Sequence, residues 1–209
     1  MTVSPEQPKL QDCQEEGKKV LTEPHLTFVY LGLGYSLMVY IGKGFVTDGA
    51  SVPKNILSDK DYGPYFKTYL FRKYPKIGTR LDLENLWDKI VGKPWDMPRL
   101  LAAIVHDALY SYKWKLRWFC DWIYRKILIQ NDYDRIRADV EYTCIGLEGW
   151  KHWNAKSDLD RDRAREIIKI EIIRTKKTSK IIRSLQGKNG REKKIYFFPK
   201  YPLESKTYI

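Results

Sequence analysis

The most constraining feature of this sequence is an apolar segment that carries an ionisable pair at its centre. Its apolar side chains recur at helical spacing, at Leu101, Ile104, Val105, Ala108, Leu109 and Tyr112. His106 and Asp107 interrupt this pattern. Asp96 is a suitable N-cap, and Pro98 falls in the first turn, where its missing N–H group costs nothing. The pattern therefore predicts a core helix from about Asp96 that must accommodate a histidine and an aspartate.

Three further helices are predicted downstream of this segment. The second covers residues 112–129 or 116–129, and the third runs from about Tyr133 to Leu147, with Gly149 just past its end. The last is a long amphipathic helix over residues 156–187, capped by Ser157 or Asp158, whose apolar face is a group of isoleucines. These isoleucines are Ile167, Ile168, Ile170, Ile172 and Ile173.

The N-terminal third predicts strands rather than helices. Residues 27–31, 35–41 and 45–47 are apolar runs separated by glycine turns, which is typical of a small antiparallel meander. Residues 1–24 contain three prolines without periodicity and are interpreted as a flexible arm, and residues 55–95 as an irregular insertion. The sequence therefore predicts an α+β fold: a small N-terminal antiparallel sheet, then a helical core of three or four helices in a single domain over residues 25–155.

Charge is concentrated at the C-terminal end. The net charge is +12, yet residues 174–209 hold eleven Lys or Arg against two acids, which leaves a near-neutral body. The extended basic tail over residues 188–209 belongs to this region. Such a concentration of positive charge predicts a polyanionic partner, either nucleic acid or an acidic protein or lipid surface; the alternative is that the charge serves only solubility.

No apolar run approaches the roughly 20 residues of a membrane span. The three cysteines indicate reduced thiols of a protein made in a cytoplasm.

The ionisable pair is the predicted catalytic site. His106 and Tyr110 are four residues apart and share a helix face, whereas Asp107 is rotated by about 100°. Burying such groups costs several kcal/mol unless they find partners, so the site is either functional or a set of structural hydrogen bonds. Asp139 on the third helix is expected to hold the second nitrogen of His106, the alternative being a solvated helix charge.

Two longer motifs add a resemblance. Residues 44–53 read GFVTDGASVP, residues 102–110 read AAIVHDALY, and residues 138–142 read ADVEY. In this order they resemble a domain-of-unknown-function family that is widespread in tailed-phage genomes, and the likeness covers residues 26–153. The resemblance implies a bacteriophage protein, located in the virion or the host cytoplasm, with other phage proteins as partners. It implies no established activity.

The HD-x-x-Y pattern is also similar, more distantly, to that of phospholipase A2. By this likeness His106 activates water, Asp107 ligates calcium, Asp139 orients His106, and Tyr110 supports the network. The glycine-rich calcium loop and the disulfides of that family are missing, so Asp48 is the expected replacement ligand. Thr47, Asp48 and Ser51 form the expected supporting loop. We expect Asp48, Ser51, His106, Asp107 and Asp139 to converge in one polar cluster.

Two functions follow as hypotheses. The first is a hydrolase of esters or lipids; the second is a non-enzymatic virion or assembly component that binds a partner through its arm and tail. A triad of Ser51, His106 and an acid is disfavoured, because no strained G-x-S-x-G elbow surrounds Ser51. Residues 113–125 mix tryptophan with basic side chains, which suits a membrane surface or a nucleic-acid groove. The alternative is a core helix whose Lys and Arg side chains reach outward.

Overall fold

A computed structural model describes five stretches of the chain: residues 7–14, 17–49, 63–73, 97–155 and 157–174. Within them lie two three-stranded antiparallel sheets and five helices, which confirms the predicted α+β class. The helices are α1 (Gly63–Lys73), α2 (Arg99–Tyr112), α3 (Arg117–Gln130), α4 (Arg135–Ala155) and α5 (Asp158–Ile167). Among these described helices none is long and apolar enough to cross a membrane.

The first sheet uses part of the predicted arm. Strands β1 (Leu10–Asp12), β2 (Lys19–Leu21) and β5 (Val46–Thr47) pair in the order β1-β2-β5. Leu21 is 1% exposed and belongs to the core. The prediction of a flexible arm outside the core is therefore wrong for β1 and β2, because three-residue strands are too short to show periodicity. Residues 1–6 lie outside the described part of the chain.

The second sheet is built around a predicted hairpin. Strands β3 (His25–Gly32) and β4 (Tyr35–Ile41) pair antiparallel, and the turn between them places Leu33 and Gly34 at positive φ. Val29, Leu37 and Val39 are fully buried on the core face. The third predicted strand of this meander, residues 45–47, pairs with β2 in the other sheet instead. The third strand of the second sheet comes from the far end of the described chain.

That strand, β6 (Ile168–Arg174), corrects the predicted long helix. Ser157 caps α5 as predicted, in a capping box with Asp160, but α5 ends at Ile167. Residues 168–174 then pair with β4, since β-branched isoleucines alternating with charged residues suit a strand better than a helix. The close approach of Gly42, whose N–H donates to the Ile167 carbonyl at 2.7 Å, marks the change of direction. Residues 175–209, including the predicted basic tail, lie outside the described residues.

α3 packs against both α2 and α4, and α5 packs against α2. The side chain of Gln130, at the end of α3, bonds both backbone groups of Tyr30 and so covers the β3 edge there. α3 follows the predicted boundaries, whereas α2 begins at Arg99 with Pro98 as its N-cap residue, so the predicted start at Asp96 with Pro98 inside the first turn is wrong. α4 continues through Gly149, the predicted stop, and ends at Ala155. The glycine serves packing instead, because a Cβ atom there would lie 2.5 Å from the Tyr110 hydroxyl. The predicted irregular insertion contains the helix α1.

The buried histidine at the start of β3 predicts an acid-sensitive fold. His25 is 5% exposed, its Nε2 atom lies 2.8 Å from the Thr27 hydroxyl, and burial lowers its pKa from 6.5 to about 4. In the unfolded chain His25 therefore binds a proton near pH 6.5, whereas in the folded chain it binds that proton only near pH 4. Because the unfolded state binds more protons in this window, stability falls as the pH is lowered through it, by about 3 kcal/mol in total.

Urea unfolding at pH 7 and pH 4 checks this expectation. Between these two pH values the free energy of unfolding should fall by about 3 kcal/mol less in His25→Gln than in the unmodified protein, because the glutamine does not titrate. His152→Gln, at an exposed position, is the matched control and should leave the acid sensitivity unchanged. Equal acid sensitivity of His25→Gln and the unmodified protein would contradict the role given to burial.

Candidate functional site

A buried hydrogen bond between α2 and α3 forms the centre of the site. His106 Nε2 lies 2.9 Å from Asp121 Oδ1, and the Asp121 residue is only 1% exposed. Tyr110, one helical turn after His106, packs against its ring at a centroid distance of 4.0 Å and a tilt of 42°. Tyr124 approaches the same ring edge-on at 5.6 Å. The imidazole is therefore held by a carboxylate at one edge and by aromatic rings on its sides.

Asp121 is itself fixed by two more donors. The Tyr110 hydroxyl donates to the oxygen that His106 contacts, and Arg117 Nη1 donates to the other oxygen at 3.0 Å. The same Arg117 atom donates to the Gly146 carbonyl at 3.1 Å, which ties the group to α4. Burial and the Asp121 charge raise the pKa of Tyr110 far above its usual value, so its hydroxyl remains a donor. The carboxylate accordingly has a fixed position and a compensating cation.

This geometry determines which nitrogen of His106 is available. An ionised carboxylate can only accept, so Nε2 donates its hydrogen to Asp121 and, in the neutral ring, Nδ1 carries the lone pair. Among the described residues nothing hydrogen-bonds Nδ1. The side chain is 11% exposed, so the ring is nearly enclosed. His106 is thus arranged as a base with an orienting acid behind it.

The loop after β5 meets the helix at Asp107. Thr47 Oγ1 donates to Asp107 Oδ2 at 2.5 Å, and the Gly49 N–H donates to Thr47 Oγ1 at 3.1 Å. The GFVTDG and HDALY motifs are therefore in direct contact, although sixty residues separate these two side chains. Asp48 is exposed, and Ser51 lies outside the described residues.

The described residues do not support a calcium site. They contain no group of three His, Cys, Asp or Glu side chains that could hold a metal ion. One Asp107 oxygen already accepts from Thr47, and hard cations such as calcium need six or more oxygen ligands. Asp48 and Asp107 alone therefore do not make up a donor set that fits the ion.

Asp139 does not orient His106, contrary to the sequence-based prediction. Its carboxylate pairs with Arg125 of α3 and with Lys73 Nζ of α1, the latter at 3.2 Å. Asp121 holds the ring instead, because α3 and not α4 is the helix packed along this part of α2. The expected polar cluster therefore divides: His106 with Asp121, Asp107 with Thr47, and Asp139 with Arg125.

A second buried carboxylate was also missed from the sequence. Glu141 on α4 is 0% exposed, and Arg99, Tyr124 and Tyr133 surround it. Arg99 Nε lies 3.0 Å from Oε1, while the Tyr124 and Tyr133 hydroxyls each donate at 2.5 Å. Burial and the Glu141 charge raise the pKa of both tyrosines. Tyr124 also contacts the His106 ring, so the Glu141 network packs directly against the site.

One signal in the sequence pointed to Asp121. It lies between Cys120 and Ile123 on a helix face that is otherwise buried, so the desolvation argument applied to His106 holds for it too. However, Asp121 follows Arg117 by four residues, which is the usual spacing of an ion pair on the surface of a helix. The sequence alone therefore does not distinguish a buried acid from a solvated one at this position.

Comparison with family models, curated proteins and solved structures returned no match to this chain.

Proposed function

We propose that this chain is a bacteriophage hydrolase of ester bonds in which His106 is the general base. One observation carries the proposal: the hydrogen bond from Nε2 to buried Asp121 leaves the Nδ1 lone pair free to take a proton. A histidine used only as a structural hydrogen-bonding group would be expected to use both nitrogens in a buried position.

The chemistry follows from this arrangement. Nδ1 removes a proton from a water molecule while the water oxygen forms a bond to the ester carbonyl carbon. Asp121 stabilises the imidazolium that results, as orienting acids do in other hydrolases. The tetrahedral intermediate then breaks its bond to the alcohol oxygen, which recovers the proton from Nδ1. Tyr110 and Arg117 act as positioning residues, because they hold Asp121 rather than the reacting atoms.

The hydrogen bond from Thr47 to Asp107 supports the phage assignment. It joins the two motifs on which the family resemblance rests, so the motifs form one structural unit rather than two independent segments. From the likeness to phospholipase A2 we keep the role of His106 as the base, while Asp121 takes the role suggested for Asp139 and the calcium ligation suggested for Asp107 is not used.

Hydrolysis of p-nitrophenyl esters of several chain lengths tests the activity. The unmodified protein should release p-nitrophenol above the buffer rate, and His106→Ala should return release to the buffer rate because it removes the base. His152→Ala, at an exposed position, is the matched control and should retain full activity. A thermal melt of each variant shows whether the fold is kept. Equal rates for the unmodified protein and His106→Ala would refute the proposal.

A second function is favoured by the salt bridge between Arg117 and Asp121. This pair neutralises the orienting acid and ties α3 to α4, as expected of a structural network in a virion or assembly component. On this alternative the unmodified protein cleaves no ester. His106→Ala then lowers the free energy of unfolding by about 1–3 kcal/mol, because Asp121 and Tyr110 lose a buried partner. The same assay and melt separate the two functions.

A further inference from the structure

The connection between α2 and α3 presents a surface that the proposed site does not use. We call its apolar side chains the aromatic ridge: Trp114, Leu116, Trp118, Phe119 and Trp122. Leu116 is 61% exposed and Trp118 is 57% exposed. Two large apolar side chains this exposed, on one short segment, indicate an interaction surface more than an accident of packing.

The aromatic ridge has a rigid base. The Phe119 ring lies at its centre, with centroid distances of 5.5 Å to Trp114, 5.7 Å to Trp118 and 5.3 Å to Trp122. The Trp114 backbone is fixed at both ends, because its N–H donates to the Leu109 carbonyl and its carbonyl accepts from the Cys120 thiol. Leu116 and Trp118 are therefore presented from an ordered support.

The charge around the aromatic ridge is positive. Residues 113–126 contain five Lys or Arg, and the single acid, Asp121, is buried and paired with Arg117. Lys113, Lys115 and Lys126 form no ion pair among the described residues, and Lys126 Nζ lies 5.0 Å above the Trp122 ring. Exposed apolar groups flanked by unpaired cations are complementary to a partner that has an apolar interior and an anionic surface.

We propose that the aromatic ridge binds an anionic lipid membrane surface. Leu116 and Trp118 enter the boundary between headgroups and acyl chains, and Lys115 and Lys126 contact the lipid phosphates. Single-stranded nucleic acid fits less well, because bases stack on open ring faces. Leu116, the most exposed member, has no ring and so offers no face on which a base can stack.

This inference goes beyond ester hydrolysis and does not depend on it, since binding is measured without turnover. The basic region over residues 174–209 is a second source of positive charge. The experiment must therefore separate apolar insertion by the ridge from simple attraction of the tail to anions.

Co-sedimentation of the full chain with vesicles provides the test. The unmodified protein should bind vesicles of phosphatidylcholine and phosphatidylglycerol and should not bind phosphatidylcholine alone. Leu116→Ser with Trp118→Ser should weaken binding about tenfold or more, because the inserted apolar area is lost. The matched control is Leu159→Ser with Trp150→Ser, whose side chains are similarly exposed at 60% and 47% but lie on other helices. It should bind as the unmodified protein does.

A charge variant keeps the test decisive if the ridge variant fails to fold. Lys115→Asn with Lys126→Gln leaves every ridge side chain in place, and asparagine tolerates the positive φ of 57° at position 115. It should weaken vesicle binding and reduce its salt dependence. No binding by the unmodified protein, or equal binding by the ridge variant, would overturn the proposal. So would loss of oligonucleotide binding in the ridge variant with vesicle binding unchanged.

Discussion

Asp121→Asn is expected to lower the rate of ester hydrolysis by about a hundredfold or more while the protein remains folded. Asp121 accepts hydrogen bonds from His106, Tyr110 and Arg117, but an asparagine offers one acceptor oxygen in place of two. If that oxygen faces His106, the amide nitrogen opposes the Arg117 guanidinium, and both are donors. If the amide is reversed, it donates towards His106 and favours the tautomer in which Nδ1 carries the hydrogen.

Asp139→Asn is the matched control for this prediction. Asp139 is equally buried and equally paired with an arginine, yet its partners are Arg125 and Lys73 rather than His106. Initial rates should therefore stay within a few-fold of the unmodified protein at a temperature where both variants are folded. Equal losses in the two variants would mean that Asp121 acts through stability and not through His106.

Glu141→Gln is expected to lower the free energy of unfolding by about 3–5 kcal/mol. The substitution preserves the side-chain volume but removes the negative charge that compensates Arg99, which is only 3% exposed. It also replaces one of the two oxygens that receive the Tyr124 and Tyr133 hydroxyls with an amide donor. A buried cation without a partner is among the most costly changes a fold can undergo, so this effect should exceed those of ordinary core truncations at single methyl groups.

Urea titration followed by circular dichroism measures this loss. The control is Asp162→Asn, which also breaks a pair between an arginine and a carboxylate, but one in which both side chains are more than half exposed. Such a surface pair contributes about 1 kcal/mol or less. A change of that size in Glu141→Gln would show that the buried network contributes little to stability.

Helix spacing and turn residues were enough to predict the parts of the fold that depend on local sequence. The β3–β4 hairpin, α2, α3 and the Ser157 cap follow from apolar periodicity, glycine turns and capping chemistry. β6 did not, because a run of isoleucines suits either a helix face or a strand and only pairing with β4 decides between them. The short strands β1 and β2 are likewise stabilised by distant partners rather than by their own residues.

The candidate site shows the same division. His106 and Tyr110 were found because their spacing on one helix is fixed by the backbone. Asp121 was missed because its role depends on which helix packs beside α2, and no pattern within a single helix carries that information. Asp139 was chosen because the third helix was expected to pack opposite His106, but its position on α4 places it with Arg125.

The pairing of β4 with β6 has a consequence for how the protein is made. β4 ends at Ile41, whereas β6 begins at Ile168, so the ribosome synthesises all of α2, α3 and α4 before the second sheet can be completed. Until then the nascent chain carries one edge of β4 with unpaired backbone groups, next to the apolar side chains of its core face. Such an edge can capture a strand from another chain. β6 therefore closes the fold late, and premature termination before Ile168 would release a product whose sheet remains open.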